Sequence, residues 1–346
     1  MKLDAALQPP AALGAGRRFF LVGYLPTYAA VFFVLLLFWA GARGWAAPVG
    51  GRLGFHRAWA TATALGVGEV VLLVLGVTLV AVLLAPLQTA VVRLLEGAWP
   101  ERLGARWARK RQLRQKRAWE QRAQLPSFGP FPPGPPGAWT VPQSVAGPDT
   151  VQRAGVAGAE LRRRYPLPDH LVRPTALGNA LAAAEDTAGR AFGYDAVVAW
   201  PRLYPLLGEQ TRAVVDDRRD TVDGAARMAV TTAVTTVIAA VVLARTGWWL
   251  SLAAVPLAVS WVAYRGAVQA ALAYGESLHV AFDLHRFALL QALGMKVPED
   301  PARERELAAW WCDLWRQGVP LPPAFRYTAE PNPGPTGGQG QGQGQS

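Results

Sequence analysis

The chain has 346 residues, 51% of them hydrophobic and 17% charged, with a formal net charge of +11 and a mean hydropathy of +0.15; a soluble domain usually carries about 25% charged residues. The apolar residues are gathered into four runs long enough and charge-poor enough to cross a bilayer. That argues against a purely soluble or secreted protein. More than half of the chain lies outside the runs, which argues against a many-span transporter. The single cysteine, Cys312, excludes an internal disulfide and a multi-cysteine metal site.

In chain order, residues 1–18 form a short N-terminal segment with Lys2, Arg17 and Arg18. The first span is expected at about 19–40, with Pro26 near its start. Its apolar run is longer than the roughly 7–15 residues of a cleavable signal core, so Arg17-Arg18 reads as the flank of an uncleaved anchor and not as an export signal. The second span is expected at about 62–84 and carries one carboxylate, Glu69. Together the two make a first hairpin within 19–98. The third span is placed at about 229–244 and the fourth at about 248–264, a second hairpin within 228–264.

Basic residues set the orientation. The loop 41–61 holds Arg43, Arg52 and Arg57, and the turn between the last two spans holds only Arg245. Between Val91 and Met228 there are 21 basic residues, and seven more follow the fourth span. Both termini and the middle segment are therefore expected in the cytoplasm of a bacterial cell, with the protein in its inner membrane.

Segment 99–124 concentrates this charge. Arg106, Arg109, Lys110, Arg111, Arg114, Lys116 and Arg117 face few acidic residues, and they are expected to bind anionic phospholipid at the inner leaflet, at about 1 kcal/mol per basic residue close to the surface. Trp107, Leu113 and Trp119 do not share one helical face. Nucleic acid is not an expected partner, since no reader motif accompanies the charge. Residues 125–148 are rich in Pro and Gly and read as a linker, with Pro132-Pro133 and Pro135-Pro136 as a weak proline-helix signal. The tail 328–346 is low-complexity.

Residues 149–227 have the mixture of a folded cytoplasmic module. Pro174-Thr175 opens a helix to about Ala188, and Tyr194–Trp200 reads as a short strand or extended turn. From about Gln210 a helix is expected to run unbroken into the third span, and the fourth span is expected to continue to about Leu293 within an extension 265–327. The fold class is therefore an all-α membrane protein: four transmembrane helices in two hairpins, the second extended into a cytoplasmic helical stalk.

Two blocks carry a resemblance. Arg173-Pro174-Thr175-Ala176-Leu177-Gly178-Asn179, with Glu185, Gly193, Asp195 and Trp200-Pro201-Arg202-Leu203, resembles a block shared by uncharacterised, largely actinobacterial integral membrane proteins. Phe282-Asp283-Leu284-His285-Arg286-Phe287 resembles their second block. Where that group has Arg-Tyr-Gly, this chain has Ala191-Phe192-Gly193. The resemblance implies a class and no activity.

Candidate chemistry is sparse. Glu276, His279 and Asp283 share one face, and Glu276-x-x-His279 has the spacing of bundle metal sites; a solvated or salt-bridged stripe is the simpler reading. Glu69 is an ionisable group inside a span, a functional candidate by default, with Arg245, Arg57 or His56 as ion-pair partners. Thr231, Thr232, Thr235 and Thr236, and Gly66, Gly68 and Gly76, read as packing surfaces between spans. No P-loop, nucleophile elbow or zincin motif is present, so no catalytic residue and no cofactor are expected. The reading is a membrane-anchored interaction or scaffold protein. Its contacts with an unknown protein partner are expected at Arg173, Asn179, Glu185, Trp200, Arg202, Asp283 and Arg286; self-association is a further option. The alternatives are an oligomeric transporter or channel subunit using Glu69 and, third, a membrane enzyme with a metal at Glu276, His279 and Asp283.

Overall fold

The computed structural model describes residues 25–46, 53–100, 104–124, 147–322 and 325. Arg17-Arg18, the proline pairs at 132–136 and the low-complexity tail lie outside the described residues. Among the described residues there are helices and turns and no strand. The helices are α1 (Leu25–Trp39), α2 (Phe55–Ala64), α3 (Val67–Leu95), α4 (Ala105–Ala123), α5 (Pro148–Arg164), α6 (Ala176–Thr187), α7 (Ala196–Leu203), α8 (Glu209–Val242), α9 (Ala254–Ala292) and α10 (Pro301–Gln317).

Two helical stretches are long and apolar enough to cross a membrane, Glu209–Val242 and Gly247–Ala292. The second consists of a 3₁₀ turn, Gly247–Ala253, running into α9. Pro256 falls in the first turn of α9, where a missing N–H leaves no helical bond unmade. At 1.5 Å per residue, α8 is about 51 Å long and α9 about 58 Å, and neither has a proline after its first turn to stop it.

The run expected as a single span from 62 to 84 is broken instead. Leu65 and Gly66 leave the helical region, and α2 meets α3 at 112°. Counted as one bent span, this pair is a third candidate; α1, over its apolar stretch Pro26–Trp39, is shorter. The cause is local. Gly66 and Gly68 weaken the helix, and Glu69 restarts it: the Gly66 N–H donates to Glu69 Oε2 at 3.1 Å.

The chain divides into two compact units. The first comprises Met1–Ala184 with Ala213–Ser277, and the second Glu185–Arg212 with Leu278–Ser346. In the first unit one core gathers Leu37, Ala40, Ala239 and Leu243 where α1 and α8 end. Another joins Val92 of α3, Leu177 and Leu181 of α6, Val222 and Ala226 of α8, and Ala267 and Ala271 of α9. In the second unit Leu290, Met295 and Leu307 are buried together, with Phe287, Trp310 and Phe325 around them.

Two local expectations are corrected, at 194–200 and at the glycines of the α2–α3 pair, and a third, at the threonines of α8, is refined. Residues 194–200 are not a strand. Asp195 Oδ1 accepts from the Val197 N–H at 2.9 Å and starts α7 as its N-cap. Of the threonines expected as packing surfaces in α8, Thr231 and Thr235 are buried; the hydroxyls of Thr232, Thr235 and Thr236 each donate to the carbonyl four residues back, as hydroxyls within helices commonly do. The bond across helices comes from Ser260 Oγ to Ala229 O, 2.8 Å. A Cβ on Gly66, Gly68 or Gly76 would meet nothing within 4 Å, so among the described residues these glycines are not contact surfaces.

Candidate functional site

Helix α4 carries the densest charge, and its residues divide by face. At 100° per residue, Ala105, Ala108, Gln112, Lys116, Trp119 and Ala123 fall on one side, and α4 packs there against α5. Arg106, Lys110, Arg114 and Arg117 fall within about 80° of one another on the other side, with Trp107 and Arg111 just beyond. All six are exposed, Trp107 to 70%.

Two of the seven expected lipid ligands are taken up inside the fold. Lys116 is 4% exposed. Its Nζ donates to Leu167 O at 2.7 Å and to Asp169 Oδ1 at 2.6 Å, and Glu120 lies 3.7 Å away. Arg109 donates to the carbonyls of Asp169 and His170, at 3.1 and 2.8 Å. Both side chains hold the 3₁₀ turn Asp169–Leu171 against α4, Lys116 buried and Arg109 half-buried. The Lys116 hydrogen bond holds the Asp169 carboxyl below the usual carboxylate range.

The first resembling block is a structural knot. Asn179 is fully buried. Its Oδ1 accepts from Arg173 N at 2.7 Å, and its Nδ2 donates to Arg173 O at 3.0 Å and to Gln112 Oε1 at 3.3 Å. Thr175 Oγ1 donates to Leu95 O at 2.6 Å and accepts from Gly178 N at 3.0 Å. A Cβ on Gly178 would collide with the backbone carbonyl of Glu96, so only glycine lets α6 approach the end of α3 this closely. Tyr264 Oη accepts from Ala176 N and Leu177 N at 3.2 and 3.4 Å. Asn179, expected on a partner surface, is therefore a clamp inside the first unit. Beside it, Arg219 bridges Glu96 at 3.0 Å and Asp223 at 3.2 Å. Burial pushes the Asp223 carboxyl up, against the pull of Arg219.

In the second unit several block residues are also tied internally. Gly193 has φ +86, and a Cβ there would lie 2.7 Å from Arg305 O. Asp195 pairs with Arg316, and its N–H donates to Cys312 Sγ at 3.3 Å. Burial raises the Cys312 thiol, which keeps it protonated and poorly nucleophilic. Trp200 packs on Tyr204 and Phe282. Arg202 lies over the Trp315 ring at 4.5 Å. Arg286, a candidate partner contact, bonds Glu304 at 2.9 Å, both side chains largely buried, and sits over Phe192 at 4.0 Å. Phe192 supplies the face for that cation. Arg173 and Glu185 are half-buried; Asp283 is exposed, with Val280 and Leu284 exposed beside it.

The metal-site residues are not gathered. Glu276 pairs with Arg163 at 2.8 Å, and His279 Nε2 shares a hydrogen bond with Thr187 Oγ1 at 3.1 Å. Among the described residues no group of three His, Cys, Asp or Glu side chains is placed to hold a metal ion. Glu69 makes no ion pair with Arg245, Arg57 or His56 among the described residues. Its carboxylate caps the first turn of α3, where the positive end of the helix dipole favours it.

Sequence reasoning missed Trp99, Gln112, Ser260 and Tyr264. Only Tyr264, the last aromatic before the first charge beyond the apolar run, carried a readable signal. No family model, curated protein or solved structure matches the chain.

Proposed function

We propose that this is a membrane-anchored scaffold protein that rests on anionic phospholipid through the exposed face of α4. The reading takes α1, the α2–α3 pair, α8 and α9 as four spans in two hairpins, with both termini on the cytoplasmic side of a bacterial inner membrane and the lower part of the second hairpin as a helical stalk. It also keeps the likeness to uncharacterised actinobacterial membrane proteins. The exposed tryptophans Trp45, Trp59 and Trp248 suit the outer headgroup layer.

The observation that carries the reading is the separation on α4. Arg109 and Lys116 are bound within the fold, while Arg106, Lys110, Arg111, Arg114 and Arg117 share an exposed arc with Trp107. A cationic arc with one exposed indole is the arrangement that a headgroup layer accepts. A protein partner fits the second unit at Val280, Asp283 and Leu284, an exposed apolar pair beside a carboxylate.

The test uses the full chain in nanodiscs containing brominated lipid. Brominated anionic lipid is expected to quench wild-type emission more than that of Trp107→Phe, with the difference disappearing at raised salt. Equal quenching of the two proteins would contradict lipid contact by this face.

A further inference from the structure

We propose that the groove between α3, α4, α8 and α9 in the first unit holds one anionic phospholipid molecule, acyl chain inward and phosphodiester on Arg111. This rests on the reading that α8 and α9 cross the membrane and α4 lies on its inner face. The groove has a volume of about 450 Å³. Its floor is apolar: Val91 and Leu95 of α3, and Val230 and Val234 of α8. Its rim carries Trp99, Trp107 and the exposed Arg111.

Three observations select this occupant. The first is height. Arg227 is the last charge on α8 before its apolar run, and Arg265 is the first on α9 after its own. The groove takes its lining from Ala229 to Val234 and from Ser260 and Tyr264, within two turns of those charges, at the level where acyl chains meet headgroups.

The second is continuity. From Val234 the floor runs onto Val237, Ile238 and Val241 of α8, all 40% exposed or more. An acyl chain entering the groove therefore never leaves an apolar surface.

The third is charge. Among the described residues no carboxylate lines the groove, and Arg111 stands beside Lys110 and Arg114 on the exposed arc. A guanidinium offers paired donors to a phosphodiester, and the surrounding positive charge favours an anionic headgroup over a zwitterionic one. The Trp99 indole is fixed at the rim by its N–H donating to Leu94 O at 2.7 Å.

The test counts lipids retained by full-length protein released from membranes into mild detergent, by native mass spectrometry. Wild type is expected to keep one anionic phospholipid per chain. Arg111→Gln, which removes one charge-assisted pair, is expected to lower that population about tenfold. Ala233→Phe, which fills the groove from an exposed position, is expected to do the same. Equal retention by all three proteins, retention of zwitterionic lipid only, no retained lipid, or a second chain in the groove that Ala233→Phe displaces would each overturn the proposal. If retention is absent while salt-sensitive quenching at Trp107 persists, the groove fails and the surface contact stands. If both are absent, both fail.

Discussion

Asn179 closes on the backbone of Arg173 from both sides, accepting from its N–H at 2.7 Å and donating to its C=O at 3.0 Å. Both partners are main-chain groups, so the bonds depend on the amide and not on the arginine. Asn179→Ala would leave buried polar groups unpaired, at about 1–3 kcal/mol for each. A large fall in thermal unfolding temperature is expected. Arg173→Ala, which keeps both bonds, is expected to cost less. Equal losses would show that the clamp is not the stabilising contact.

Gly178 tests the approach of α6 to α3. Gly178→Ala drives a methyl into the backbone of Glu96, which cannot swing aside as a side chain can. A loss of about 1–3 kcal/mol or more is expected. Gly76→Ala meets nothing within 4 Å and, inside a helix, is expected to keep or slightly raise stability. Denaturant unfolding in detergent distinguishes the two.

The Arg286–Glu304 pair is largely buried on both sides. Removing one partner leaves the other charge uncompensated, at about 3–5 kcal/mol. Glu304→Gln is therefore expected to loosen the second unit strongly. Glu276→Gln breaks only the exposed pair with Arg163 and is expected to change stability by less than about 1 kcal/mol. Limited proteolysis around α10 reports the difference.

The Lys116–Asp169 contact gives a pH dependence with a fixed sign. Its hydrogen bond lowers the folded-state pKa of Asp169. The contribution is therefore complete above the ordinary aspartate range and is lost as pH falls through the lowered folded value. The protection of residues 167–171 against hydrogen exchange, corrected for the intrinsic pH dependence of amide exchange, is expected to fall only in strong acid, and Asp169→Asn is expected to show the lower protection already at neutral pH. A loss of this corrected protection on raising the pH from neutral would contradict the assignment.

Much of the helical layout was legible in the sequence, because α8 and α9 are long and lack interior prolines after their first turns. The break between α2 and α3 was not. A hydropathy window averages over Leu65-Gly66, and nothing in it reports that Glu69 can cap a new helix. On α4, the alanines at 105, 108 and 123 mark the packed face once Gln112 and Lys116 are allowed on it, but a buried lysine breaks the apolar period. Its partners, Leu167 and Asp169, lie some fifty residues away. The resembling blocks were conspicuous for the same reason that Asn179 and Gly193 are buried or crowded: they join distant segments. Asn179, Gly193 and Arg286 there reported internal ties, while Asp283 and Leu284 stand exposed.

The division of α4 into a lipid face and a packed face is tested most directly by photocrosslinking in native membranes. A photoreactive amino acid is placed singly at Lys110, Arg114 or Arg117, and in parallel at Gln112 or Lys116. The first three positions are expected to yield adducts with anionic phospholipid, and the last two adducts with the chain's own residues near Asp169 or Asn179. Lipid adducts from both sets, or none from Lys110, Arg114 and Arg117, would contradict it.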